Sequence, residues 1–314
     1  MKTLVTDSPE EAASFVRSGE IVAFPTETVY GLGGDATSEE VVRKIFAAKM
    51  RPSDNPLIVH ISTRDQVSDL TESVSRSAER LIDRFFPGPL TVILRKSASV
   101  PDAVTAGLDT VGIRMPAHPV GQAFLSACGG PVAAPSANIS GRPSPTTSEA
   151  VLADLDGRVP CVLRGGRSPV GLESTVVDCS GPEPLVLRAG AVSLEDLREV
   201  DPRIRPARDD DEGFARSPGM KYRHYSPRAR VVLTDRAPEH VPLHEAFIGL
   251  EGPSAMESPF VNVCGSVEEY AHELFHFFRR CDEAGVRVVH CGTVPETGLG
   301  MALMDRLRRA AADR

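Results

Sequence analysis

Short apolar runs alternate with amphipathic stretches along this chain, and their periods set the first expectations. A helix opens it, with Ser8 as cap, Pro9 in the first turn, Glu11 completing a capping box and Gly19 as the stop. An apolar strand over 21–24 follows, then a polar loop over 25–33. A second helix spans 38–49, with Thr37 and Glu40 as its capping box. Buried strands are expected over 57–61, 90–94, 111–115, 132–134, 161–163, 175–177 and 185–187, with helices over 75–85, 119–128 and 148–155 between some of them. Strands interleaved with helices, sometimes in consecutive pairs, predict an α/β unit with a mixed sheet.

Between 201 and 230 the pattern breaks. An acidic run at 209–212 precedes the breaker-rich S-P-G-M-K-Y-R-H-Y-S-P at 217–227, which reads as a linker. Strands over 231–233, 247–250, 260–263 and 286–290, with helices over 267–284 and 298–311, then predict a small parallel α/β, Rossmann-like domain. The expected division is a first domain at 1–200, a linker or lid at 201–230 and a second domain at 231–314.

Composition narrows the classes. A formal net charge of −8 disfavours a chain whose whole surface coats nucleic acid, while leaving room for a local basic pocket. The six cysteines form no C-x-x-C pair and read as core thiols rather than a zinc site or disulfide framework. No signal-peptide pattern and no apolar run of membrane-spanning length is visible, so a cytoplasmic location is expected. Lysine stands only at Lys2, Lys44, Lys49, Lys96 and Lys221. A lysine kept in so arginine-rich a chain can serve as a compact point charge; chance is the plain alternative.

Four segments carry candidate chemistry, and are expected at the carboxyl ends of strands, where ligands sit in open α/β sheets. They are 25–33, 49–56, 134–141, and 172–175 read with Arg188 and Gly190. Lys49 and Arg51 are helix-end cations, which favour the helix itself, or an anion cradle in which arginine grips oxyanions bidentately. Ser136 and Asn138 are turn caps or pocket donors. No metal site is expected in the protein itself.

In order, P-T-E-T-V-Y-G-L-G, K-M-R-P with D-N-P-L, G-I-R-M-P, A-P-S-A-N-I-S-G and L-E-S-T-V-V-D resemble the threonylcarbamoyl-AMP synthase (YrdC-like) family over 21–190. The linker and trailing domain resemble its long, two-domain version. The resemblance implies a twisted mixed sheet with a large concave basic pocket. It also implies condensation of L-threonine, bicarbonate and ATP, with Mg2+, to threonylcarbamoyl-AMP and pyrophosphate. The product would pass to a downstream tRNA threonylcarbamoyl transferase, and weak RNA binding is a further partner it allows. By similarity Lys49, Arg51, Ser136 and Asn138 are catalytic. Thr28, His60, Arg114, Ala134 and Ser174 contact threonine, and Arg51, Asn55, Thr110, Ser136, Ser144 and Arg188 contact the nucleotide. Tyr30 is the aromatic beside the substrates, and Lys221, Tyr222, His224 and Tyr225 close the lid. Two alternatives compete: a double-stranded RNA-binding module without catalysis, which the net charge disfavours, and a carbamoyltransferase of metallocentre maturation, which the missing C-x-x-C pairs disfavour.

Overall fold

The structure, a computed structural model, describes residues 2–208 and 225–312. The first eleven strands are β1 (Leu4–Thr6), β2 (Val22–Phe24), β3 (Gly31–Asp35), β4 (Ile58–His60), β5 (Leu90–Arg95), β6 (Thr110–Arg114), β7 (Val132–Ala134), β8 (Cys161–Leu163), β9 (Thr175–Asp178), β10 (Leu185–Arg188) and β11 (Arg205–Pro206). They join in one mixed sheet in the order β1-β8-β2-β3-β7-β4-β6-β5-β9-β10-β11. Eight helices accompany it: α1 (Pro9–Arg17), α2 (Glu39–Lys49), α3 (Gln66–Leu70), α4 (Arg76–Phe85), α5 (Asp102–Thr105), α6 (Pro119–Cys128), α7 (Ser148–Leu155) and α8 (Leu194–Val200).

Alternation along the central strands decides what each face of the sheet does. Val59, Val111, Ile113 and Ala133 point into the main core, where Val42 and Ile45 of α2 and Leu81 of α4 also pack. Their neighbours Ile58, His60, Arg114 and Ala134 take the opposite face and line a cavity. The pairings Ile58↔Ala134 and His60↔Arg114 bring these side chains together across three adjacent strands.

The remaining strands are β12 (Arg230–Thr234), β13 (His240–Val241), β14 (Glu245–Gly249), β15 (Ala255–Met256), β16 (Val261–Val263) and β17 (Val288–Gly292). Four of them form the all-parallel sheet β12-β17-β14-β16. Helices α9 (Val267–Glu283) and α10 (Leu299–Ala311) pack on it through a core rich in Leu274, Phe275, Phe278 and Leu303. That core also takes in Val29 and Leu172 from the first unit. At the same junction Gly171, at φ +82°, lies so close to α9 that a Cβ would stand 2.6 Å from the Cα of His272.

Several local expectations are corrected. The loop expected over 25–33 ends in β3, which pairs antiparallel with β2. Its glycines read as loop, but they are a packing requirement: a Cβ on Gly33 would meet Val132 at 2.6 Å and the Phe24 ring at 2.9 Å. Glu11 makes no reciprocal box; its carboxylate takes the Thr6 hydroxyl, while Ser8 alone caps α1. Ser38, not Thr37, caps α2, because Thr37 is tied to Asp35. Strand β11 carries the first sheet beyond residue 200, into the stretch expected to be linker. Among the described residues no helix is long and apolar enough to cross a membrane.

Gly33→Ala is expected to destabilise the chain by about 1–3 kcal/mol, the usual cost of overpacking. Urea unfolding checks it, and an unchanged midpoint would show that β3 tolerates side chains on that face.

Candidate active site

The cavity encloses about 660 Å³, counted out into its open mouth. Among the described residues Arg51, Arg114, Arg142 and Arg188 line it, against one acidic lining residue, Glu173. A chain that is acidic overall thus concentrates positive charge at one place. Thr28, His60, Ala134, Ser136, Asn138, Ser144, Ser174 and Tyr225 also line it, so most of the expected site residues converge.

Three do not. Lys49 is buried behind the wall. Its Nζ donates to the carbonyls of Ser136 and Asn138, both at 2.5 Å. Burial, with the charge of Arg51 next, pushes this amine well below the ordinary lysine range. Either protonation state supplies the two donors used. The expected point charge in an anion cradle is therefore a strut holding the 136–138 loop. Asn55 is buried outside the lining, and its carbonyl accepts from Arg51 at 3.4 Å. Thr110 lines a smaller neighbouring cavity that shares Pro56 and Ile58 with the main one. Of the expected lid, Tyr225 lines the cavity, while Lys221, Tyr222 and His224 lie outside the described residues.

The expectation that all four segments follow strands is also corrected. Residues 25–33 and 134–141 do, but 49–56 runs from α2 into β4, and 172–174 leads into β9. The first three still meet, because β7 is antiparallel to β4 and its end lies beside the start of β4.

Arg114 donates to the Thr28 hydroxyl at 2.8 Å and stands 2.8 Å from Glu27, although off the line of a hydrogen bond. Arg51 donates weakly to the Asn55 and Pro56 carbonyls, and its buried Nε has no partner among the described residues. Burial lowers its pKa to about 10. Arg188 donates to both the carbonyl and the hydroxyl of Ser174, each at 3.1 Å. Ser136 donates to the Asn138 side chain at 2.6 Å, and Asn138 in turn pins the carbonyls of Ile139 and Arg142. Tyr30 spends its hydroxyl on Gly165 and Gly166, and burial pushes its pKa up to about 12.

Sequence reasoning assigned no role to Glu173, although it sits inside a quoted motif, and none to Arg142. Glu173 accepts from Ser144 at 2.5 Å. Burial pushes its carboxyl up, but the charges of Arg306 and Arg188 outweigh this and hold it below the usual carboxylate range.

Comparison with known proteins fits this geometry. A family model described as "Telomere recombination" matches residues 14–190, and one described as "Threonylcarbamoyl-AMP synthase, C-terminal domain" matches 192–312. A threonylcarbamoyl-AMP synthase of Pyrococcus abyssi is 44% identical over 96% of this chain and 94% of its own length. The chain belongs to the threonylcarbamoyl-AMP synthase family. A Bacillus subtilis member is 42% identical over 99% of this chain and 95% of its own. The crystal structure of P. abyssi Sua5 complexed with L-threonine superposes with a TM-score of 0.88 at 40% identity, covering 98% of both chains. The P. abyssi protein thus shares both units and their arrangement.

His60 Nδ1 donates to the Ile58 carbonyl, 3.2 Å away, and the ring packs edge-on to Phe24. Burial, with Arg114 next, lowers its pKa to about 3. The folded value lies below the unfolded one, so the unfolded chain takes up the proton first and stability is lost as pH falls below about 6.5. The loss reaches up to about 1.4 kcal/mol per pH unit. Urea unfolding at pH 7 and pH 5 should show a smaller difference in His60→Asn than in the parent; an equal difference would refute the assignment.

Proposed function

We propose that this chain condenses L-threonine, bicarbonate and ATP into threonylcarbamoyl-AMP and pyrophosphate. The observation that carries the reading is a single cavity in which Arg51, Arg114 and Arg188 converge with the Ser136–Asn138 loop, in a chain that matches synthases along its whole length. Every participant in that reaction is an anion or becomes one. The chemistry asks for cations and aligned donors more than for a nucleophilic side chain.

The threonine amine adds to the carbon of bicarbonate, or of carbon dioxide derived from it, forming a C–N bond and giving an N-carboxylate, with loss of water. A carboxylate oxygen then attacks the α-phosphorus, the bond to the β-phosphate bridge breaks, and pyrophosphate leaves. Arg114, steadied by Thr28 and Glu27, is placed to clamp the threonine carboxylate. Arg51, with its unspent Nε, and Arg188 are suited to phosphate oxygens. Ser136 supplies a hydroxyl that Asn138 orients. Ser174 and Ala134 shape the threonine end beside neutral His60. Among the described residues no cluster of three carboxylate, histidine or cysteine ligands gathers. Mg2+ would enter with the substrate as Mg·ATP and neutralise the phosphates. The adenylate is a mixed anhydride, fit for a downstream transferase that modifies an adenosine of tRNA.

The direct test supplies ATP, Mg2+, bicarbonate and labelled threonine. Pyrophosphate and a labelled adenylate should both form, and only when threonine and bicarbonate are present together. Neither product, with ATP and threonine still binding, would leave an inactive relative and return attention to RNA binding. Arg51→Ala is expected to lower the rate by roughly 10²–10³, the scale of removing one preorganised donor, without loss of folded structure by circular dichroism. A fully active Arg51→Ala enzyme would sink the role given to this arginine.

A further inference from the structure

Helix α10 belongs to the trailing unit, yet its Arg306 is fully buried against the first unit. Its Nε donates to Glu173 Oε2 at 2.9 Å, its Nη2 to the carbonyl of Ala189 at 3.0 Å, and its Nη1 to Asp305 at 2.6 Å. Its guanidinium carbon also lies 5.2 Å from the centre of the Tyr225 ring. Both Glu173 and Tyr225 line the cavity, and Glu173 holds the Ser144 hydroxyl of the same wall.

A buried ion pair is a poor way to stabilise a junction, since desolvation consumes most of the attraction and an apolar pair would serve as well. What such a pair supplies is direction. Arg306 spends its three nitrogens in three directions, holding Glu173 Oε2 while Ser144 holds Oε1, and its guanidinium lies beside the Tyr225 ring, so the carboxylate and the ring are located from one side chain. We propose that Arg306 is a positioning residue of the active site, through which the trailing unit sets the nucleotide-binding wall formed by Glu173, Ser144 and Tyr225. This rests on the synthase reading only for the identity of the nucleotide.

A second arginine from the same unit supports this arrangement. Arg279 of α9 donates to the Pro143 carbonyl at 2.6 Å and to Asp154 at 2.9 Å. Asp154 also holds Arg142, so the loop carrying Arg142 and Ser144 is anchored from the trailing unit as well.

The test compares Arg306→Lys with the parent as full chains, reading ATP affinity by calorimetry with Mg2+, pyrophosphate-release kinetics and thermal unfolding. Lysine keeps the charge but not the fork. The expected result is a rise in Kd and KM for ATP on the order of tenfold, the loss of one charged hydrogen bond. The threonine KM should stay within about twofold, as for an uncoupled site. Arg308→Ala, an exposed neighbour on the same helix, should leave all three unchanged. A folded Arg306→Lys with unaltered ATP affinity, or with equal rises for both substrates, overturns the proposal. If Arg306→Lys does not fold, Glu173→Gln decides: a selective loss of ATP affinity supports it and an even loss overturns it. A parent that binds ATP without turnover defeats the synthase reading alone, since the Kd comparison still decides the positioning role. A parent that binds no ATP overturns both.

Discussion

A guanidinium taken out of water must find acceptors for its N–H groups, because each unmet donor keeps its full desolvation cost. Arg306, Arg279, Arg188 and Arg114 are all largely buried, and the chain around them meets most of that demand, with Arg114 Nη2 and Arg279 Nε left without a hydrogen bond among the described residues. Carbonyls at Gly88, Pro143, Ser174 and Ala189 are turned toward them, and Glu27, Asp154 and Glu173 stand beside them. The positive charge of the cavity is thus the part left over after structural partners are served. Arg51 makes only long bonds to the Asn55 and Pro56 carbonyls, and its Nε has no partner among the described residues.

This division explains why a chain of net charge −8 still forms a site for anions. Whole-chain charge describes the solvated surface. The cavity is governed by a few groups in a medium where solvent screens them weakly. The carboxylate of Glu173 belongs to the same accounting: it tempers Arg188 and Arg306 and gives Ser144 a fixed acceptor.

Much of the fold could be read from the pattern of residues, because strands such as β4 and β6 and helices such as α4 and α6 carry strong periods. Strand β3 could not, since its glycines are selected by the Phe24 ring and the Val132 side chain, neither of which is local in sequence. The site showed the same split. Arg51, Arg114, Ser136 and Arg188 lie in motifs whose residue types match the chemistry. Lys49 looked like one of them, but its direction is set by the loop carbonyls it supports. Arg306, within a basic helical stretch, resembles a solvated face until the packing of α10 against the first unit is known.

Gly171 gives the junction a property that side-chain contacts lack. Helix α9 rests on bare backbone there, so the spacing between the two units is fixed by an atom that is missing. Any other residue at 171 would act as a wedge, and the chain it would displace leads within three residues to Glu173 and Ser174 in the cavity wall. This one point therefore transmits even a methyl group's width to the cavity wall.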